Sequence, residues 1–85
     1  MKNDWLITFR SVTFAQKGER LLQRAGIGCR LLRTPRSLSE RGCGYCLQLG
    51  KREAVAGVAI LQKNGIRYEK VYAPGERGEL EERVL

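Results

Sequence analysis

Apolar and polar positions follow two rhythms along this chain, and each rhythm occurs twice. Trp5-Leu6-Ile7-Thr8-Phe9-Arg10 is rich in β-formers and predicts a first strand. Phe14, Ala15, Leu21, Leu22 and Ala25 then fall on one stripe at helical spacing. Ser11 or Thr13 is placed to cap that helix, and Gly26 to end it. Gly28 to Arg33 predicts a second strand, halted by Thr34-Pro35. The order repeats with a strand over Gly44–Leu49, a helix over Lys51–Asn64 stopped by Gly65, and a strand over Ile66–Tyr72 halted by Pro74.

Shifting the chain against itself by 39 residues aligns Leu21-Leu22-Gln23-Arg24-Ala25-Gly26-Ile27 with Ile60-Leu61-Gln62-Lys63-Asn64-Gly65-Ile66. The same offset pairs Ala15 with Ala54, Gly18 with Gly57 and Pro35 with Pro74. Two copies are too few for a solenoid and suit one compact domain with internal pseudo-symmetry. Gly18 and Gly57 both fall on the buried helix stripe, where glycine costs about 1 kcal/mol relative to alanine, so close helix-to-sheet packing is expected there. The order βαββαβ predicts an α+β, ferredoxin-like sandwich. Its four-stranded antiparallel sheet has strand order 4-1-3-2 and carries both helices on one face. Residues 1–74 form this single domain, and 75–85 read as a charged C-terminal tail, mobile or forming a short extra helix.

Composition narrows the class. A chain of 85 residues with 42% hydrophobic and 29% charged residues is expected to form one soluble globular domain. No apolar run approaches the roughly 18 residues of a membrane span, and Met1-Lys2-Asn3-Asp4-Trp5 has no signal-peptide core. Three cysteines, an odd number, argue against a disulfide framework and for a reducing, cytoplasmic location. The net charge of +7 is uneven: residues 1–74 hold 14 Lys/Arg against 5 Asp/Glu, and residues 75–85 hold 2 against 4. Arginines 24, 30, 33, 36 and 41 follow one another with no lysine between them, and arginine's planar fork suits anions.

The absence of histidine removes a Cys-His nucleophile pair, a Cys/His zinc site and an imidazole base. Cys43-Gly44-Tyr45-Cys46 remains as the feature with chemistry of its own. One CxxC pair plus Cys29 falls short of four zinc ligands, so no metal is expected within one chain. A thioredoxin-like centre would start a helix directly after a strand. Here a serine- and arginine-rich connection precedes the pair, and Gly50 follows Cys46 closely.

In the predicted sheet the third strand starts beside the end of the first, near the Ser11–Thr13 helix start, with the Arg33–Arg41 connection close by. Helix N-termini and arginines lower a thiol's pKa, so Cys43 is expected to be the most reactive thiol. Cys29, mid-strand, reads as a small buried hydrophobe that resists labelling, with Cys46 between the two. Period-two alternation sends Tyr45, Leu47 and Leu49 to the helices and Gly44, Cys46 and Gln48 to the open face.

Two readings from other classes compete. A basic ferredoxin-like sheet is the architecture of an RNA-binding module that stacks bases on exposed aromatics. The open-face positions of the central strands, Leu6, Thr8, Arg10, Gly44, Cys46 and Gln48, supply no such platform, and Trp5, Phe9 and Tyr45 are expected on the helix side. Nucleic-acid binding is therefore expected to be weak, salt-sensitive and without base preference. The other alternative is a non-catalytic ligand-sensing or oligomerising domain, a homodimer formed through the open sheet face.

Taken in order, Phe9 and Ser11, Ala15 and Glu19, Gly26-Ile27, Thr34-Pro35-Arg36-Ser37, Cys43-Gly44, Gly65-Ile66 and Tyr68 resemble the pattern of the selenium/sulfur carrier-like protein family, over about residues 5–73. The resemblance implies a carrier rather than an enzyme, with no cofactor, in which Cys43 accepts and hands on sulfur or selenium as a persulfide or selenosulfide. Ser11, Thr13 and Arg36 would then stabilise its anion, helped by Arg33 and Arg41. The implied partner is a cysteine desulfurase-like donor or a selenium-using enzyme. Two positions depart from the pattern: Cys46 stands where an apolar residue is expected, and Gly42 where a serine is. Cys46 reads either as an inert strand residue or as a resolving thiol that attacks a persulfide on Cys43.

Overall fold

A computed structural model describes residues 4–35, 38 and 44–85. Its elements are β1 (Trp5–Phe9), α1 (Val12–Arg24), β2 (Arg30–Arg33), β3 (Tyr45–Leu49), α2 (Lys51–Lys63), β4 (Val71–Pro74) and β5 (Leu80–Arg83). The sheet runs β2-β3-β1-β4-β5, and every neighbouring pair is antiparallel. The α+β class and the two helices are as expected, but the sheet has five strands rather than four.

The extra strand is a correction to the reading of 75–85 as a tail or short helix. Val71-Tyr72-Ala73-Pro74 offers an unpaired edge, and Gly75–Glu79 turns the chain back onto it. Gly75 donates its N–H to the Glu79 carbonyl, Leu80 packs against the sheet, and Lys70 pairs with Glu82 at 3.4 Å. Two further boundaries differ from expectation. β2 begins at Arg30, so Cys29 lies before the strand and is half-buried rather than mid-strand. β4 begins only at Val71, because Glu69 and Lys70 both oppose Thr8 in a bulge: Thr8 N–H donates to the Lys70 carbonyl at 2.8 Å, its carbonyl accepts from Glu69 N–H at 2.6 Å, and its Oγ1 accepts from Lys70 N–H at 3.0 Å.

Strand alternation sets the core. Trp5, Ile7 and Phe9 of β1, Leu47 and Leu49 of β3, and Val71 and Ala73 of β4 join Ala15, Leu22, Ala54, Val58 and Leu61 of the helices in one cluster. Phe14 lies off that stripe and is 38% exposed, correcting its expected burial; Ala15, Gly18 and Leu22 form the stripe instead.

The 39-residue repeat has a structural counterpart. Val12–Arg24 and Lys51–Lys63 correspond residue for residue at that offset. Both helices end alike, Ile27 N–H bonding Leu22 O and Ile66 N–H bonding Leu61 O. A Cβ built at Gly18 would meet Leu61 Cδ2 at 3.3 Å and Phe9 Cζ at 3.2 Å. One built at Gly57 would meet Leu22 Cδ1 at 3.2 Å. Each helix thus seats its leucine on the other helix's glycine. That reciprocity accounts for two glycines kept inside helices at a propensity cost.

Leu6, Cys46 and Tyr72 form a second cluster on the other sheet face, with Leu32, Leu38 and Leu80 packed against it. Leu6, Thr8 and Cys46 take the open-face parity expected of them, yet all three are buried within the single chain. Leu38, from the connection between β2 and β3, and Leu80 of β5 contribute to that cover.

Candidate functional site

The end of the sheet where β1 runs into α1 gathers several of the anticipated residues. Ser11 is the N-cap of α1, in extended conformation, and its Oγ accepts from Thr13 N–H at 3.1 Å. The Ser11 carbonyl accepts from Ala15 N–H at 3.0 Å. The first turn of α1 carries no acidic residue, so nothing within it offsets the partial positive charge of the helix start. Thr13 is exposed and takes part through its backbone rather than its hydroxyl. Replacing Ser11 by alanine is expected to cost about 1 kcal/mol in urea unfolding, whereas Thr13→Ala should leave stability nearly unchanged. Equal losses at the two positions would contradict this cap assignment.

β3 starts at the same end. The register pairs Phe9 with Tyr45 and Arg33 with Tyr45, so the three strand ends stand side by side. Gly44 precedes β3 with φ +119°, and a Cβ there would lie 3.2 Å from the Phe9 carbonyl oxygen and 3.5 Å from Thr34 Oγ1. Its carbonyl accepts from Thr34 N–H at 3.1 Å. Glycine is required at this step by both conformation and space. Arg33 is exposed at the end of edge strand β2. Cys43, Arg36 and Arg41 lie outside the described residues.

Cys46 is fully buried, and its Sγ donates to the Arg33 carbonyl at 3.9 Å. Burial pushes this thiol up to about 11, with the nearby Thr34 hydroxyl favouring the anion only in part. Among the described residues, Thr34 Oγ1 is a buried oxygen with no hydrogen-bond partner. Cys29 is also raised, first by burial and then by the Glu19 carboxylate, and its Sγ lies 3.9 Å from the Glu19 carbonyl oxygen. At neutral pH both are therefore protonated thiols, poor nucleophiles as they stand. The structure reverses the expected burial order of this pair, since Cys46 is buried and Cys29 only half-buried.

Two residues here went unnoticed in the sequence. Thr34 reads as a strand stop before Pro35 and as part of the Thr34-Pro35-Arg36-Ser37 pattern, and neither signals a place beside a thiol. Leu38 was the signal that could have been used: an apolar residue amid arginines and serines. Among the described residues, no group of three Cys, Asp or Glu side chains is placed to hold a metal ion, and no helix is long and apolar enough to cross a membrane. Trp5 and Phe9 are buried and Tyr45 packs on the helix-side cluster, as expected, while Tyr72 lies on the opposite face and is only 9% exposed.

No curated protein and no solved structure matches the chain. A family model does match, over residues 4–73, and it ends within β4, leaving β5 outside it. The matched span includes Ser11, Thr34, Cys43 and Cys46, along with β1 to β3, most of β4 and both helices. The chain belongs to the family described as "Putative Se/S carrier protein-like".

Proposed function

We propose that this protein is a non-enzymatic carrier that relays sulfur or selenium on Cys43, in a cytoplasmic setting, on a ferredoxin-like arrangement of β1 to β4. Membership of the carrier-like family over residues 4–73 is the observation that carries this reading. It is supported by the raised pKa values of Cys46 and Cys29, which take those two thiols out of service at neutral pH. It is further supported by Gly44, the chain neighbour of Cys43, which lies against the Phe9 carbonyl, two residues before the Ser11 cap of α1. An anion near that helix start would be favoured by the free first-turn N–H groups, and Ser11, Thr13, Arg33, Arg36 and Arg41 are the candidate helpers.

In the transfer step the Cys43 thiolate attacks the outer sulfur of a donor persulfide. The donor's S–S bond breaks, the donor leaves as a thiolate, and a persulfide forms on Cys43 with no net oxidation or reduction. Release by Cys46 would need its thiolate to attack the inner sulfur, which burial opposes. Hand-off to an external acceptor is therefore the favoured second step. A cysteine desulfurase-like donor and a selenium-using acceptor fit these two chemistries.

Intact-mass analysis after incubation with glutathione persulfide tests the proposal. The wild-type protein and Cys29→Ser should gain the mass of one sulfur atom, removable by dithiothreitol, and Cys43→Ser should gain none. Loading that survives Cys43→Ser, with the far-ultraviolet circular dichroism unchanged, would overturn it.

A further inference from the structure

The sheet ends in two edges, β2 on one side and β5 on the other. An edge strand exposes unpaired N–H and C=O groups, and charged side chains are a common guard against unwanted pairing. Here the guards differ in sign. β2 reads Arg-Leu-Leu-Arg, with Arg30 and Arg33 exposed. β5 reads Leu-Glu-Glu-Arg, with Glu81 and Glu82 exposed, and follows a turn that carries Glu76 and Glu79. Two β2 edges brought together repel each other, as two acidic β5 edges do, whereas β2 and β5 attract.

We infer that the protein associates head to tail, the β5 edge of one copy adding to the β2 edge of the next. The sheet geometry suits this. With every neighbouring pair antiparallel, β2 and β5 run in the same direction, so a second copy with its helices on the same side extends the sheet by a parallel pair. Leu32 and Leu80 share the face that carries Cys46. Glu82 pairs with Tyr72 of that same face, and Arg30 with Gln48. Setting Arg30 abreast of Leu80 makes Arg30–Glu82 and Leu32–Leu80 diagonal neighbours on this face; on the other, Arg33 falls abreast of Arg83 and diagonal to Glu81, which already pairs with Arg83. Long side chains reach across such diagonals.

The occupant is a second copy because this chain itself supplies both complementary edges. Within the chain, Glu82 already holds Lys70 and Glu81 holds Arg83, so the incoming arginines would complete charge networks. Exposed pairs of this kind are individually weak, and the strands are short, so the association is weak and salt-sensitive. A heterologous contact closes into rings or continues as a filament. None of this depends on the sulfur-carrier reading.

Sedimentation velocity of the full chain tests it at about 0.1 M salt, where screening over about 10 Å damps the repulsion of the net charge but not contact pairs. The sedimenting mass should rise with concentration, and the rise should vanish at about 1 M salt. R30E/R33E leaves both edges acidic and E81K/E82K leaves both basic, so each variant alone should stay monomeric. An equimolar mixture of the two should associate, because each then meets its opposite. A wild type that is monomeric at every concentration, or a variant that associates as the wild type does, would overturn the inference. E81K/E82K also removes the partners of Lys70 and Arg83 and can unseat β5, so amide exchange of the wild type decides the case if the mixture fails. β2 and β5 amides must slow as concentration rises, and no slowing overturns the inference.

Discussion

Phe9→Ala is expected to destabilise the protein by about 3–5 kcal/mol, the range for removing a buried aromatic ring. At roughly 0.05–0.15 kcal/mol per residue, an 85-residue chain has about 4–13 kcal/mol to lose, so the variant sits near its unfolding threshold at room temperature. The effect is large because the ring itself is lost from a filled core, while the main-chain contacts of this residue remain. The ring is fully buried and lies against the space that Gly18 leaves open. Its backbone pairs with Tyr45, and its carbonyl faces Gly44 at the start of β3. Phe14→Ala is the comparison, since the sequence puts both rings in the helix-side core but Phe14 is over a third exposed. Its loss should stay below about 1 kcal/mol, as is usual away from buried features. Urea midpoints for the two variants check this, and comparable losses would mean that the helix stripe is wrongly assigned.

The second large effect concerns Cys46. With its thiol pushed up to about 11 from an ordinary value of 9.0, its thiolate fraction at pH 7 falls about 100-fold. Alkylation by iodoacetamide should be slowed at least that much in the folded protein and recover in urea. Stability follows the same proton. Below pH 9, the ordinary value for this group, folded and unfolded chains both hold it, and the full contribution is present. Between pH 9 and 11 the unfolded chain releases the proton while the folded chain keeps it, so stability falls as pH rises, by up to about 3 kcal/mol. Cys46→Ala lacks this dependence, so the stability gap between it and the wild type should shrink from pH 8 to pH 10. A constant gap, or rapid labelling of Cys46 in the folded protein, would contradict the burial described.

What could be read from the sequence is what local physics determines. The helix stripes, the Gly-Ile exits and the alternation in β1 and β3 depend on neighbours a few residues apart, and these elements lie close to where the pattern places them. The pairing of Gly18 with Gly57 could be read as well, because a glycine at the same place in two helices has few explanations other than close packing. β5 could not be read that way. Leu-Glu-Glu-Arg has little strand preference of its own and becomes a strand because the β4 edge is there to pair with it. The burial of Cys46 was hidden for a related reason: alternation gave its face, but the cover on that face includes Leu38 and Leu80, set by tertiary contacts rather than by pattern. β4 starts late because Glu69 and Lys70 both bond Thr8, in a bulge that joins residues more than 60 apart in sequence and that the Thr8 hydroxyl reinforces. The thiols follow the same division. The position of Cys46 was legible, but its protonation depends on contacts that no local pattern records.

The exchange of leucines between the two helices has a mechanical meaning. Leu22 rests on Gly57 and Leu61 on Gly18, and the two seats lie about one helical turn apart along each axis. Two such points define a line, so α1 can neither slide along α2 nor roll against it without lifting both leucines at once. The helix layer then behaves as a single stiff plate bolted to the middle of the sheet. Slow motion in this protein is left to its margins, the half-exposed β2 and the thinly anchored β5.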